Sequence, residues 1–385
     1  MSFFKGIIMK KTILLLLSFA LSLVEGCASF QKRDLLQQAL SSSNEKVQRV
    51  MNNPTEFEIQ MIYTAITRTK KGRIKFKDYT YNLDSRNYFY PASTVKLPIA
   101  ILALEKLATI SGTSVNSDFS IAGSAEKFKF SEEISKIFAV SDNDASNHLL
   151  EFLGFDYLNK KMRDKKLSDF YVTHRLSTSD SGNPITKAIT LFKDDKTEVE
   201  LLSIANKNAM PLRLKKMNKG IGYMKNDTLI KSPFDFSSKN YFALQTAHNT
   251  LKRLVFPAAF RANKRFNLRP EDREFLLYSL QNLPRNAGYD PVEFYDGYAK
   301  FFVFGDTKDS IPANIKIYNK VGDAYGTLID CAYIVDEKNK VEFMVSATIL
   351  VNKDGIFNDD AYEYEQIGLP FLAEIGRELY KRSKK

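Results

Sequence analysis

The sequence predicts a mixed α/β (α+β) fold, with one antiparallel sheet from both chain ends, flanking helices, and an inserted helical domain. Strand-like segments rich in β-branched and apolar residues lie near the start and the end. Segments with apolar residues at helical spacing fill the middle. No internal repeat is visible, so a stacked-repeat architecture is excluded.

In chain order, residues 1–26 read as an export signal. Lys5, Lys10 and Lys11 form a basic front, and an apolar run from Ile13 to Val24 follows, too short to span a bilayer comfortably. Residues 27–55 are polar and helix-permissive, a tether plus a first helix. Residues 56–385 form the remaining domain, with a helical insertion over about 97–312. Phe57 to Ile66, the turn Lys70-Lys71-Gly72 and the alternating Arg73 to Tyr81 predict a β-hairpin. Leu97, Ile99, Ala100, Ala103, Leu104 and Leu107 predict a buried helix after Ser93. A second helical region, Ile134 to Leu153, breaks near Ser141. From Asp156 to about Pro312 the chain reads as mostly helix and loop. Strands return at Ile315 to Val321, Leu328 to Val335 and Val341 to Val351, and a last helix covers about Tyr362 to Tyr380.

The 385 residues are 44% hydrophobic and 12% aromatic, enough for a substantial core, which excludes global disorder. The formal charge of +11 falls to +9 once the three lysines and one glutamate of residues 1–26 are removed. Those cations are dispersed and form no basic helix or aromatic-basic RNA motif, so a solvated surface is expected and no nucleic-acid partner. The two cysteines give no disulfide if Cys27 is modified, and Cys331 lies in an apolar run as a core thiol. His and Cys never cluster with ligand spacing, so no metal and no cofactor is expected.

Three short motifs occur in order: Ser93-Thr94-Val95-Lys96, Ser141-Asp142-Asn143 and Lys320-Val321-Gly322. Ser-x-x-Lys also starts at Ser2, Ser29, Ser43 and Ser124, and Lys-x-Gly at Lys70 and Lys353, so context must separate them. Ser93 follows Tyr90-Pro91-Ala92 and opens an apolar helix, where residues i and i+3 share a face. A serine hydroxyl needs a base, and a lysine serves only when burial or a neighbouring cation keeps it neutral. Lys320 is the candidate cation. Taken singly, each motif has a plainer role: Ser93 as a helix cap, Ser141-Asp142-Asn143 as a turn, Lys320 as a solvated strand-end charge.

Together the motifs, with Asn147-His148-Leu149-Leu150 and Leu153-Gly154, resemble the class A β-lactamase and penicillin-binding-protein family of serine hydrolases. The resemblance implies a β-lactamase/transpeptidase-like fold with Ser93 as acylated nucleophile and Lys96 as base. It implies that Ser141 relays a proton, Lys320 attracts the substrate carboxylate, and Asn143 binds the acyl side-chain amide. Asp142 would be structural, Gly322 would let substrate lie against its strand, and the N–H groups of Ser93 and Asp323 would form the oxyanion hole. Leu23-Val24-Glu25-Gly26-Cys27 resembles a bacterial lipoprotein cleavage box, which implies lipidation at Cys27, a membrane anchor and a cell-envelope location. The implied substrates are β-lactams or related peptidoglycan-type amides and esters.

Three departures matter. Val321 replaces the family's hydroxyl residue and removes a hydrogen bond to a charged group, worth about 1.5–3 kcal/mol. The span from Ser141 to Lys320 is long, the excess falling in 185–240. No clean E-x-x-L-N segment supplies a deacylating base. Asp180 and Glu198 are the substitutes considered, against plainer roles as a loop cap and a helix-surface charge. Slow deacylation follows, and with it a penicillin-recognising peptidase or esterase as alternative to an efficient β-lactamase. A non-catalytic envelope-binding lipoprotein is the other alternative. A Ser-His-Asp hydrolase is disfavoured, since His148, His174 and His248 accompany no G-x-S-x-G elbow.

Overall fold

The computed structural model describes residues 34–384; the export signal and Cys27 lie outside the described residues. Two short helices, α1 (Leu35–Leu40) and α2 (Glu45–Met51), precede strands β1 (Gln60–Arg68) and β2 (Ile74–Tyr81). Helix α3 (Lys96–Leu107) is followed by β3 (Asp118–Ile121), β4 (Lys127–Lys129), α4 (Phe130–Ala139), α5 (Asn143–Leu153) and α6 (Phe155–Asp164). Short strands come next: β5 (Phe170–Tyr171), β6 (Ile189–Phe192), β7 (Glu198–Leu201), β8 (Asn218–Lys219), β9 (Gly222–Lys225), β10 (Thr228–Ile230), β11 (Phe234–Asp235) and β12 (Tyr241–Phe242). Helices α7 (Leu244–Val255) and α8 (Pro270–Gln281) lead to the long strands β13 (Ile315–Ala324), β14 (Thr327–Asp336) and β15 (Val341–Leu350). The two-residue β16 (Ile356–Phe357) and α9 (Leu369–Ser383) close the chain.

The main sheet has the order β13-β14-β15-β1-β2, all antiparallel, so the chain's two ends meet where β15 pairs with β1. Successive side chains in a strand face opposite ways, and this divides the core in two. Ile62, Ile66, Ile329, Cys331 and Met344 join the helical body through α3 and α7. Met61, Tyr63, Leu328, Ala332, Phe343 and Val345 pack against α1, α2 and α9 on the other side. Strand β14 is buried on both faces, as a central strand between two helical layers must be.

The middle segment is less helical than its sequence predicts. It folds β3, β4, β6 and β7 into a four-stranded sheet, while β8 to β12 form two-residue ladders and a small hairpin. In that hairpin Asn226 and Asp227 take φ of 47° and 58°, as a two-residue type I′ turn requires. Strands of two to four residues are too short to display a period of two, so their pairing is decided by tertiary contacts.

Candidate active site

Ser93 sits in a 3₁₀ turn, Ala92–Val95, that runs directly into α3. Proline at 91 keeps the preceding backbone out of the helix. Thr94 clamps the turn by donating its N–H (3.1 Å) and its hydroxyl (2.6 Å) to Pro91 O. Ala92, immediately before the serine, holds a left-handed φ of 44°. Such a conformation costs a residue with a Cβ energy that the surroundings must offset.

The neighbouring strand explains Gly322. A Cβ at that position would lie 2.9 Å from Ser93 N and 3.0 Å from both Pro91 O and Thr94 N. Strand β13 therefore passes against the serine turn itself, closer than any side chain allows. The family resemblance assigns this glycine to substrate clearance, and the described contact adds an intramolecular reason for it.

Lys96, on the first turn of α3, is wholly buried. Its amine donates to Ser141 O, to Asn143 Oδ1 at 2.6 Å and to Ser141 Oγ at 3.4 Å. No hydrogen bond joins it to Ser93 Oγ among the described residues; apo sites often tighten such contacts only around substrate. Burial and the nearby Lys320 cation hold the Lys96 amine well below an ordinary lysine. Lys320 is 2% exposed and donates to Ser141 Oγ at 2.8 Å and to Val321 O at 2.8 Å. Burial lowers it to about 7, against the opposing pull of Asp323 and Asp330.

Ser141 is thus the meeting point of the two lysines. It occupies the junction between α4 and α5 with a left-handed φ of 61°, and its carbonyl and hydroxyl both accept from Lys96. Asp142 caps α5 by accepting from Ala145 N at 2.8 Å. Asn143 spends its carbonyl on Lys96 and donates its amide to Ser177 Oγ at 2.9 Å.

Ser93 and Asn143 open onto a cavity of about 510 Å³, whose wall also includes Leu176, Lys239, Asp323 and Tyr325. Sequence reasoning missed the loop that forms one wall, residues 173–187. Arg175 straps it down with two bonds to Glu151, at 2.5 and 3.1 Å, and two more to Asn183 O and Ile185 O. Asn147 holds Leu176 at both backbone atoms, at 2.8 and 3.0 Å. The Asn147 side chain was the legible half of that device; Arg175 carries no local signal.

Neither candidate for a deacylating base lines the Ser93 cavity. Asp180 is exposed, accepts from Thr178 Oγ1 at 2.8 Å and lines a separate cavity with His148 and Lys187, so its carboxylate serves as a loop cap. Glu198 lies exposed on β7, the outer strand of the four-stranded sheet, rather than on a helix surface. The acids that do line the Ser93 cavity among the described residues are Asp323 and Asp360.

The histidines have structural partners. His148 Nδ1 lies 2.7 Å from the buried Glu133 carboxylate. His248 bridges Thr64 and Ser346 at 2.8 Å each. His174 donates from Nδ1 to Arg175 O at 2.6 Å and accepts from Asn240 N at 3.2 Å. Burial lowers His174 to about 4, so it is neutral near pH 7 with both nitrogens engaged. Val321 is also core: it belongs to the apolar cluster of the α1, α2 and α9 layer.

Behind Lys320 lies a buried polar network that the sequence did not announce. Lys300 donates to Leu280 O and Asn319 Oδ1, both at 2.7 Å, and Asn319 donates to Asp330 Oδ1 at 2.9 Å. Burial lowers Lys300 to about 7 and raises Asp330 to about 6.

A five-stranded antiparallel sheet between helical layers, with Ser-x-x-Lys, Ser-Asp-Asn and Lys-x-Gly converging beside it, defines a β-lactamase-like serine hydrolase. Residues 43–200 match the model of the beta-lactamase enzyme family, a stretch that holds the first two motifs and stops short of Lys320. That stretch is similar to the beta-lactamase enzyme family. Among solved structures it resembles a beta-lactamase from Sphaerobacter thermophilus, at 13% identity and TM-score 0.51, over 91% of this chain and 96% of that one. A beta-lactamase from Desulfarculus baarsii matches at 15% identity and TM-score 0.51, over 90% and 98%. Carbapenemase VCC-1 from Vibrio cholerae matches at 14% identity and TM-score 0.50, over 89% and 100%. At these identities the likeness is one of fold. No curated protein matches the chain.

Proposed function

We propose that the protein is acylated at Ser93 by β-lactams or by related peptidoglycan-type amides and esters, and that it deacylates slowly. The observation that carries this reading is the convergence of two buried lysines on Ser141, 45 and 179 residues away from it in sequence. Lys96, kept neutral by burial and by Lys320, takes the Ser93 hydroxyl proton as Oγ attacks the carbonyl carbon. The N–H groups of Ser93 and Asp323 stabilise the oxyanion. The C–N or C–O bond then breaks, and the proton passes from Lys96 through Ser141 to the leaving group. Asn143, already oriented by Lys96 and Ser177, offers its amide to the substrate's acyl side chain. Slow deacylation follows from the strapped loop, which presents Leu176, Ser177 and Thr178 to the cavity and no carboxylate.

The basic front and apolar run of residues 1–26 support export, and Cys27 is read as the lipidated N-terminus that tethers the protein to a membrane of the cell envelope. Among the described residues no helix is long and apolar enough to cross a membrane.

Incubation with a fluorescent penicillin tests the central step. Wild type takes covalent label, whereas Ser93→Ala and Lys96→Ala take none. Equal labelling of wild type and Ser93→Ala would overturn the assignment.

A further inference from the structure

Two expectations about substrate charge need a new answer. The family's hydroxyl at position 321 is a valine packed into the core. Lys320, expected to attract the substrate carboxylate, is 2% exposed and is spent on Ser141 and Val321 O. A carboxylate entering beside Ser93 would have neither partner.

The cavity wall does carry cations: among the described residues these are Arg175 and Lys239. Arg175 is consumed by Glu151, Asn183 O and Ile185 O. Lys239 has no carboxylate within ion-pair distance among the described residues. Its amine instead stands 3.5 Å from Tyr325 Oη and 5.5 Å above the Tyr325 ring. It also lies 5.7 Å from the centre of the Phe234 ring. Aromatic rings hold a cation in place without neutralising it.

The backbone beneath this lysine is held from several directions. Lys239 N donates to Phe236 O at 3.0 Å. The next residue, Asn240, binds Thr173 N and His174 N through its side chain, and its carbonyl accepts from the buried Tyr88 hydroxyl. Strand β12 then pairs with β5. Opposite, Tyr325 stands on the β13–β14 turn two residues after Asp323 and packs edge-on against Tyr90 at 5.0 Å. The segment before β12 thus brings a half-buried cation with no ion-pair partner among the described residues to the wall of the Ser93 cavity.

From this geometry we infer that Lys239, held by Tyr325, is the specificity-determining residue that binds the carboxylate of an anionic substrate. The inference rests on acylation at Ser93 and adds the charge of the group recognised there. Lysine supplies a point charge, so an arginine of similar reach preserves the function while an apolar side chain removes it.

The test compares benzylpenicillin with its uncharged methyl ester on wild type, Lys239→Ala and Lys239→Arg. For benzylpenicillin, Lys239→Ala lowers the second-order acylation constant roughly tenfold, through weaker binding rather than a slower limiting step. The methyl ester reacts with Lys239→Ala as fast as with wild type, and Lys239→Arg restores the anionic substrate. The advantage of benzylpenicillin over its ester shrinks as salt rises. Equal loss on both substrates, or no loss on either, overturns the role of Lys239 while leaving Ser93 acylation intact. Failure of wild type to react with either compound overturns Ser93 acylation first, and this inference falls with it.

Discussion

A methyl group at position 322 would meet three backbone atoms of the serine turn at 2.9 to 3.0 Å. Backbone cannot step aside as a flexible side chain can, so Gly322→Ala must push β13 and the Ser93 turn apart. Overpacking of this kind costs about 1–3 kcal/mol, tolerable for a chain of this size. The same shift moves Ser93 relative to the Asp323 N–H, and small misplacements at a reacting atom are expensive. The expected outcome is a folded variant whose penicillin labelling rate falls about a hundredfold, checked by stopped-time labelling beside a thermal melt. Ser141 illustrates the limit of reading at this scale. Its identity was plain from the motif, but its left-handed backbone, which turns carbonyl and hydroxyl alike toward Lys96, follows from the α4–α5 junction and not from the residue.

Single elements position those residues, and here the sequence was unevenly readable. Long β1, β13, β14 and β15 and the apolar α3 announced themselves because strands of nine or ten residues and buried helices display their period. The loop over residues 173–187 did not, because it is held by side chains distant in sequence. Glu151 and Arg175 are nearly buried, at 6% and 4% exposure, and Glu151 also accepts from Lys187 N at 2.7 Å. Removing one member of a buried pair strands the other charge and costs about 3–5 kcal/mol. Glu151→Gln is therefore expected to lower the denaturant midpoint and to make this loop the first site of limited proteolysis. An unchanged midpoint would show that the strap does not carry the loop.

Across the whole molecule, the site is assembled from three distant stretches around one buried electrostatic centre. The order of the motifs was legible; the network of Lys300, Asn319 and Asp330 behind them was not, since Asn319 and Asp330 are isolated polar residues of two strands and Lys300 lies outside both. Its titration has a definite sign. Burial lowers Lys300 from 10.5 to about 7, so between those values the unfolded chain binds a proton that the folded chain does not. Stability contributed by this group therefore rises with pH from about 7 to 10.5, by up to about 1.4 kcal/mol per unit. Lys300→Met should flatten that rise in urea melts run across the window. Lys320, also lowered to about 7, adds to stability with the same sign, and under the proposed acylation it acts on rate as well. In that proposal burial and the Lys320 charge together keep Lys96 neutral, so acylation is expected to decline as pH rises through about 7 to 8. An alkaline limb that persists in Lys320→Ala would assign the decline to another group.

Intact-mass spectrometry of the protein mixed with benzylpenicillin, followed over time and mapped by peptide, tests the acylation step most directly. One adduct per chain on the peptide holding Ser93, formed quickly and lost slowly, is the predicted result. An adduct on another residue, or none on a folded protein, would contradict it.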